Sequence, residues 1–209
     1  MQEYLTIERE YESSFEINRS KFICYLAPSE TIEEGLTFVN KIRKKHADAT
    51  HNCYAIIGAP YTNEQKFSDD GEPGGTAGQP MYNVMNKQGL YGLTAVVTRY
   101  FGGIKLGAGG LVSAYSKAVA DAVKIAEVVT KIRSLVTCFT LTYNEYKYFN
   151  QKLESLESKI LDTQYGESVI ITLACPEDYE GRLETLIKEI TSGRSSLENK
   201  EYKYITYKR

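Results

Sequence analysis

Tryptophan is absent from the 209 residues, histidine occurs twice, and cysteine occurs four times. Cys24, Cys53, Cys138 and Cys175 stand alone, with no C-x-x-C pair among them. That excludes the usual zinc spacings and argues against a disulfide framework. Each cysteine lies in or beside an apolar, strand-like run, so buried structural thiols are expected. No apolar run is long enough to cross a bilayer, and residues 1–20 carry charges throughout rather than a signal-peptide pattern. A cytoplasmic protein with no membrane partner is therefore expected. Positive charge is also missing: the net charge is −2, with 13 Lys/Arg against 15 Asp/Glu in residues 1–130 and 12 against 12 in residues 131–209. Affinity for nucleic acid comes from clustered Lys and Arg that neutralise phosphates. Any RNA binding must then rest on a local patch, and no DNA sequence specificity is expected.

What is present is globular. Hydrophobic residues make up 42% and charged residues 25%, which excludes a disordered or fibrous chain and allows one large or two modest domains. Glycine is distributed unevenly: 11 of the 16 fall between Gly71 and Gly110. Glycine serves where backbone takes positive φ or another group approaches closely. A cluster this dense, mixed with Asp69, Asp70, Glu72, Thr76, Arg99 and Lys105, reads as a binding surface.

Residues 3–27 show strand patterning with a turn at Asn18, Arg19 and Ser20. Ser29 or Thr31 can cap a helix carrying Ile32, Leu36, Val39 and Ile42 on one side. The basic run Lys41 to Lys45 at its end either complements the helix dipole or meets a partner. Residues 53–58 (CYAIIG) form a buried strand and residues 61–67 a polar loop. A helix over 76–88 with Pro80 in its first turn follows. The strongest strand is 93–100 (LTAVVTRY), and after FGGIKLGAGG a helix opens at Leu111 and runs to about Ala126. Composition changes at 129–133. Beyond it come a strand 135–142, a helix capped by Asn144, strands 160–165 and 168–174 joined at Gly166 and Glu167, a helix 178–191 stopped by Gly193, and a strand 201–207. This is the β-α-β-β-α-β order of ferredoxin-like folds. Two domains are expected, 1–130 and 131–209.

The segment GGIKLGAGGLVSA sets glycines and Lys105 at a helix start, where unpaired N–H groups and the dipole favour an anion. Arg99 supplies a bidentate donor and Lys105 a point charge. No Walker A loop and no G-x-G-x-x-G follows the strand. Tight strand-to-helix packing explains the same glycines. Asp69, Asp70 and Glu72 suit Mg²⁺, proton transfer or a solvated turn, and no nucleophile–base pair accompanies them. The candidate ligand- or anion-binding set is Asp69, Asp70, Glu72, Thr76, Arg99, Tyr100, Lys105, Gly107, Gly109 and Gly110. His51 is a further candidate beside its strand. No catalytic residue, metal or cofactor is assigned. Tyr100 suits base stacking, whereas Phe101 is expected to pack inside.

DDGEPGGTAGQP, VVTRYFGGIKLGAGGLVSAY, NRSKFICYL and DATHNCYA together resemble the IMPACT/YigZ family, in its bacterial YigZ-like branch. The resemblance implies an α+β protein. Its N-terminal domain would be like domain IV of elongation factor G, a mixed four-stranded sheet with helices on one face. A ferredoxin-like C-terminal domain would follow. Eukaryotic members regulate translation by restraining the kinase that responds to amino-acid starvation. The RWD domain they use for that contact is not read in this sequence, so that regulation is not expected intact. The leading expectation is a translation- or stress-linked regulatory protein that binds RNA or a ribosome-associated partner. An enzyme acting on a phosphorylated small molecule and a protein–protein adaptor are the alternatives.

Overall fold

A computed structural model describes residues 3–207, apart from the side chain of Glu154. The chain divides into two compact units, residues 3–130 and 131–207. The first contains β1 (Glu3–Ile7), β2 (Tyr11–Ile17), β3 (Ser20–Pro28), α1 (Ile32–Lys45), β4 (His51–Ile57), β5 (Gln65–Ser68), α2 (Gly78–Lys87), β6 (Leu93–Tyr100) and α3 (Gly107–Ile125).

Strands β2-β3-β6-β4-β5 form one sheet, and every pairing along it is antiparallel. The expected mixed four-stranded sheet is thus corrected to an antiparallel sheet of five. The additional edge strand is β5, part of the stretch expected as polar loop. Its exposed side chains conceal it, because an edge strand need not bury its polar residues.

Helices cover both faces rather than one. Cys24, Leu26, Cys53, Ala55, Val97 and their neighbours pack against α2 and α3, whereas Ile23, Tyr25, Tyr54, Ile56 and Val96 pack against Phe38, Val39 and Ile42 of α1. The continuous apolar runs of β4 and β6 reflect this: successive side chains point to opposite faces, and both faces are covered.

Local chemistry fixes the boundaries. Asn18 and Arg19 take positive φ, 48° and 63°, at the two-residue β2–β3 turn. Thr31 caps α1 through the amide of Glu34. Gly102 is required because a Cβ there would sit 2.0 Å from the Arg19 carbonyl oxygen, where the β6–α3 segment crosses the β2–β3 turn. Helix α3 begins at Gly107, not Leu111, so Gly107, Gly109 and Gly110 form its first turn instead of preceding it.

The second unit contains most of β7 (Val128–Leu141), then α4 (Tyr143–Lys152), β8 (Lys159–Tyr165), β9 (Val169–Pro176), α5 (Glu180–Ile190) and β10 (Glu198–Tyr207). Its strands lie in the order β10-β7-β9-β8. Phe139, Phe149, Ile171, Leu173, Leu183 and Ile187 fill its core. Thr142, not Asn144, caps α4, in a reciprocal capping box with Glu145. Among the cysteines, Cys138 is only half-buried; the other three are buried and all four are free. No helix among the described residues is long and apolar enough to cross a membrane.

Candidate functional site

The register of the first sheet sets up the site. Phe22 on β3, Arg99 on β6 and His51 on β4 are direct cross-strand partners, one row beyond the Cys24–Val97–Cys53 row of the core. The same alternation sends Tyr100 to the opposite face. There its hydroxyl meets His46 Nδ1 at 2.9 Å and donates to Asp48. Arg99 therefore reaches the α2/α3 side and Tyr100 does not.

Arg99 is 5% exposed. Its guanidinium carbon sits between two rings, 5.5 Å from the centroid of Phe22 and 5.3 Å from that of Phe101. Nη1 donates to Glu72 Oε1 at 2.6 Å, and the Tyr115 hydroxyl donates to the same oxygen at 2.7 Å. The Glu72 side chain is 3% exposed, so this is a buried, hydrogen-bonded ion pair. Cys53 Sγ donates to the Asp69 carbonyl and approaches the Tyr115 hydroxyl at 3.4 Å. Burial pushes the Cys53 thiol up to about 12, and burial with its Cys53 and Glu72 neighbours also raises the Tyr115 phenol. Both stay protonated as donors. Arg99 Nε is buried and has no hydrogen-bond partner among the described residues.

The acidic turn divides its labour. Burial opposes ionisation of Asp69, yet the amides of Gly75, Gly78 and Ala77 outweigh it and hold its carboxyl below the usual range. Their distances are 2.8, 2.8 and 3.0 Å, so Asp69 organises the start of α2. Gly78 is needed there, since a Cβ would lie 2.8 Å from the Ser68 backbone. Asp70, at φ 45°, pairs with Arg43 and accepts from the Asn52 amide. Thr76 Oγ1 donates to the Pro73 carbonyl within the turn. Among the described residues no three His, Cys, Asp or Glu side chains converge as a metal set. Three of the four basic residues in the α1 run are likewise engaged: Lys41 with Glu10, Arg43 with Asp70 and Lys45 with Glu12.

A cleft of about 380 Å³ opens above the buried pair, lined by His51, Glu72, Arg99, Phe101, Lys105, Gly107 and Ala108 among others. This lies within the size range of small-ligand sites. Lys105 is exposed and forms no ion pair among the described residues. No side chain caps the start of α3, leaving first-turn amides without intrahelical acceptors. Gly107 takes φ 73° at this start. Gly109 and Gly110 lie in the same turn but do not line the cleft; a Cβ on Gly109 would meet open space.

The structure therefore brings together His51, Glu72, Arg99, Lys105 and Gly107. It leaves Asp69, Asp70, Thr76, Tyr100, Gly109 and Gly110 off the cleft wall. Phe101, expected inside, is 45% exposed at its rim, because β6 ends at Tyr100 and the chain turns away to pass Arg19. Tyr115, and the contact of the buried Cys53 thiol with it, escaped the sequence reading. Only the tertiary fold reveals the carboxylate under the Tyr115 hydroxyl.

The Impact N-terminal domain model matches residues 18–123, and a domain of unknown function, DUF1949, matches residues 139–194. IMPACT family member YvyE of Bacillus subtilis is 36% identical over 202 residues, covering 97% of this chain and 93% of that one. IMPACT family member YigZ of Escherichia coli is 40% identical over 165 residues, 77% of this chain and 80% of that one. A crystal structure described as a hypothetical protein superposes with a TM-score of 0.64 at 32% identity, covering 94% of this chain and 97% of the other. The matched N-terminal segment contains every residue of the cleft, and the chain belongs to the IMPACT family.

Proposed function

We propose that this chain is a cytoplasmic regulatory binding protein of the IMPACT type, tied to translation or stress, that takes RNA through a phosphate held in the cleft of its N-terminal unit. The observation that carries the reading is that exposed Lys105 and the uncapped start of α3 share one cleft wall with Arg99, whose guanidinium lies over Phe22 and Phe101. Charge favours the same ligand. Glu72 is balanced by Arg99, which leaves Lys105 and the positive end of α3 in excess. The exposed face of Phe101 offers a base a stacking platform.

The scaffold assignment is proposed with it. The order β10-β7-β9-β8 supports a ferredoxin-like C-terminal unit. The N-terminal unit is read as a variant of the elongation factor G domain IV fold.

The test is titration of a short single-stranded RNA into wild type and Lys105→Ala at several salt concentrations. Few phosphates are engaged, so the logarithm of affinity should fall with the logarithm of salt by roughly 0.7 per contact. Lys105→Ala should flatten the slope by about one contact. No binding at low salt, or a slope indifferent to Lys105→Ala, overturns the reading. Preferential binding of a phosphorylated small molecule would turn it toward the enzyme alternative.

A further inference from the structure

The cleft holds a second pair of atoms that phosphate binding does not use. His51 Nδ1 lies 2.8 Å from the main-chain oxygen of Asp70. A carbonyl only accepts, so Nδ1 carries the proton and the neutral ring presents a lone pair at Nε2. Nε2 faces Glu72 Oε2 at 3.8 Å. Oε1 of that carboxylate is occupied by Arg99 and Tyr115, whereas Oε2 takes no hydrogen bond among the described residues.

Two acceptors so placed call for a donor from the ligand. A cationic donor is disfavoured, because Lys105 and the α3 start already leave the cleft with an excess of positive charge. A neutral hydroxyl fits both protonation states of the ring. It donates to Nε2 or Oε2 when the imidazole is neutral. When Nε2 carries a proton, the hydroxyl accepts from it and donates to Oε2.

Glu72 joins the two halves of the site, holding Arg99 through Oε1 and facing His51 through Oε2. The hydroxyl position is therefore next to the phosphate position. RNA places a 2′-hydroxyl beside each 3′-phosphate, and DNA lacks it. We propose that the His51–Glu72 pair reads the ribose 2′-hydroxyl, so that the cleft selects RNA over DNA. This rests on the phosphate reading above.

The experiment measures fluorescence anisotropy of the full chain with three labelled single-stranded oligomers: uridine RNA, its deoxyuridine counterpart and its 2′-O-methyl counterpart. The RNA should bind roughly tenfold more tightly than either of the others, the size expected for one buried hydrogen bond lost. His51→Ala should erase that difference, bringing the affinities for the three oligomers together. The wild-type comparison needs no variant, so a misfolded mutant cannot hide the answer. Equal affinity for all three oligomers overturns the hydroxyl assignment, and phosphate binding still stands if Lys105→Ala weakens all three alike. An RNA preference that survives in folded His51→Ala also overturns it. Absence of binding by any oligomer removes both proposals.

Discussion

The two units bury different chemistry. In residues 3–130 the interior contains a carboxylate and a guanidinium, Glu72 and Arg99, together with Asn52, Thr94 and Thr98. Among the described residues of 131–207, the buried polar side chains are Ser134, Thr137 and Thr191. Its ion pairs, Arg133 with Glu177 and Lys200 with Glu180 and Glu184, are partly exposed. An apolar core and solvated charges suffice to hold a unit together. A buried ion pair is weak evidence for stability, and this one lines the cleft where the proposed ligand would sit.

Breaking that asymmetry should give the largest effect. Glu72→Ala leaves Arg99 buried without its partner, and we expect about 3–5 kcal/mol of destabilisation in the N-terminal unit. The matched change in the other unit, Lys200→Ala, should cost about 0–1 kcal/mol. Urea denaturation followed by probes in each unit checks both. Equal losses in the two units would erase the distinction.

Glycine offers a second contrast, of opposite sign. Gly102→Ala drives a Cβ into the Arg19 backbone and should destabilise by roughly 1–3 kcal/mol. Gly181 lies in α5 with nothing near its Cβ position, so Gly181→Ala should stabilise by up to about 1 kcal/mol. Thermal melts of the two variants should shift in opposite directions.

Acid should sharpen the comparison further. Three backbone amides hold the Asp69 carboxyl below its usual range despite the opposing desolvation. A depressed folded-state value stabilises above the ordinary carboxylate range, about pH 4, and that stability is lost as pH falls through and below it. Asp69→Asn should therefore flatten the acid limb of the N-terminal unit's stability curve and leave that of the C-terminal unit unchanged. Stability measured from neutral to acidic pH by tryptophan-free probes such as circular dichroism or NMR gives the answer. A parallel acid limb in the variant would reject the Asp69 assignment.

The smallest effect is one of rates. Cys53 is fully buried, with its thiol pushed up to about 12, whereas Cys138 is half-buried. A thiol-specific reagent applied to the native chain should label Cys138 first. Mass spectrometry of the early adduct identifies the site.

The elements of this fold were largely legible in the sequence because periodicity and caps are local. The strand patterning of residues 3–27, the Thr31 cap and the hairpin at Gly166 all carry their signal within a few residues. The number of covered faces did not, since a continuous run such as CYAIIG states that both sides are buried without stating by what. For the site, glycine density marked the region, and Arg99, Lys105 and Glu72 were legible by charge. The separation of Asp69 and Asp70 from Glu72 was not. Three acids in four positions look alike until the turn sends one to the α2 amides, one to Arg43 and one beneath Arg99. Phe101 was misjudged for a similar reason. Its exposure depends on where β6 ends, which Gly102 decides through its contact with Arg19.

The most direct test of a phosphate held in this cleft is NMR titration of the full chain with a short single-stranded RNA, observing the Arg99 Nε–H and the backbone amides. We expect the Arg99 Nε–H, Gly107 and Ala108 to shift together along one saturating curve while residues of 131–207 stay unmoved. Saturable binding with those three signals unchanged, or with the shifts confined to the C-terminal unit, would contradict the account.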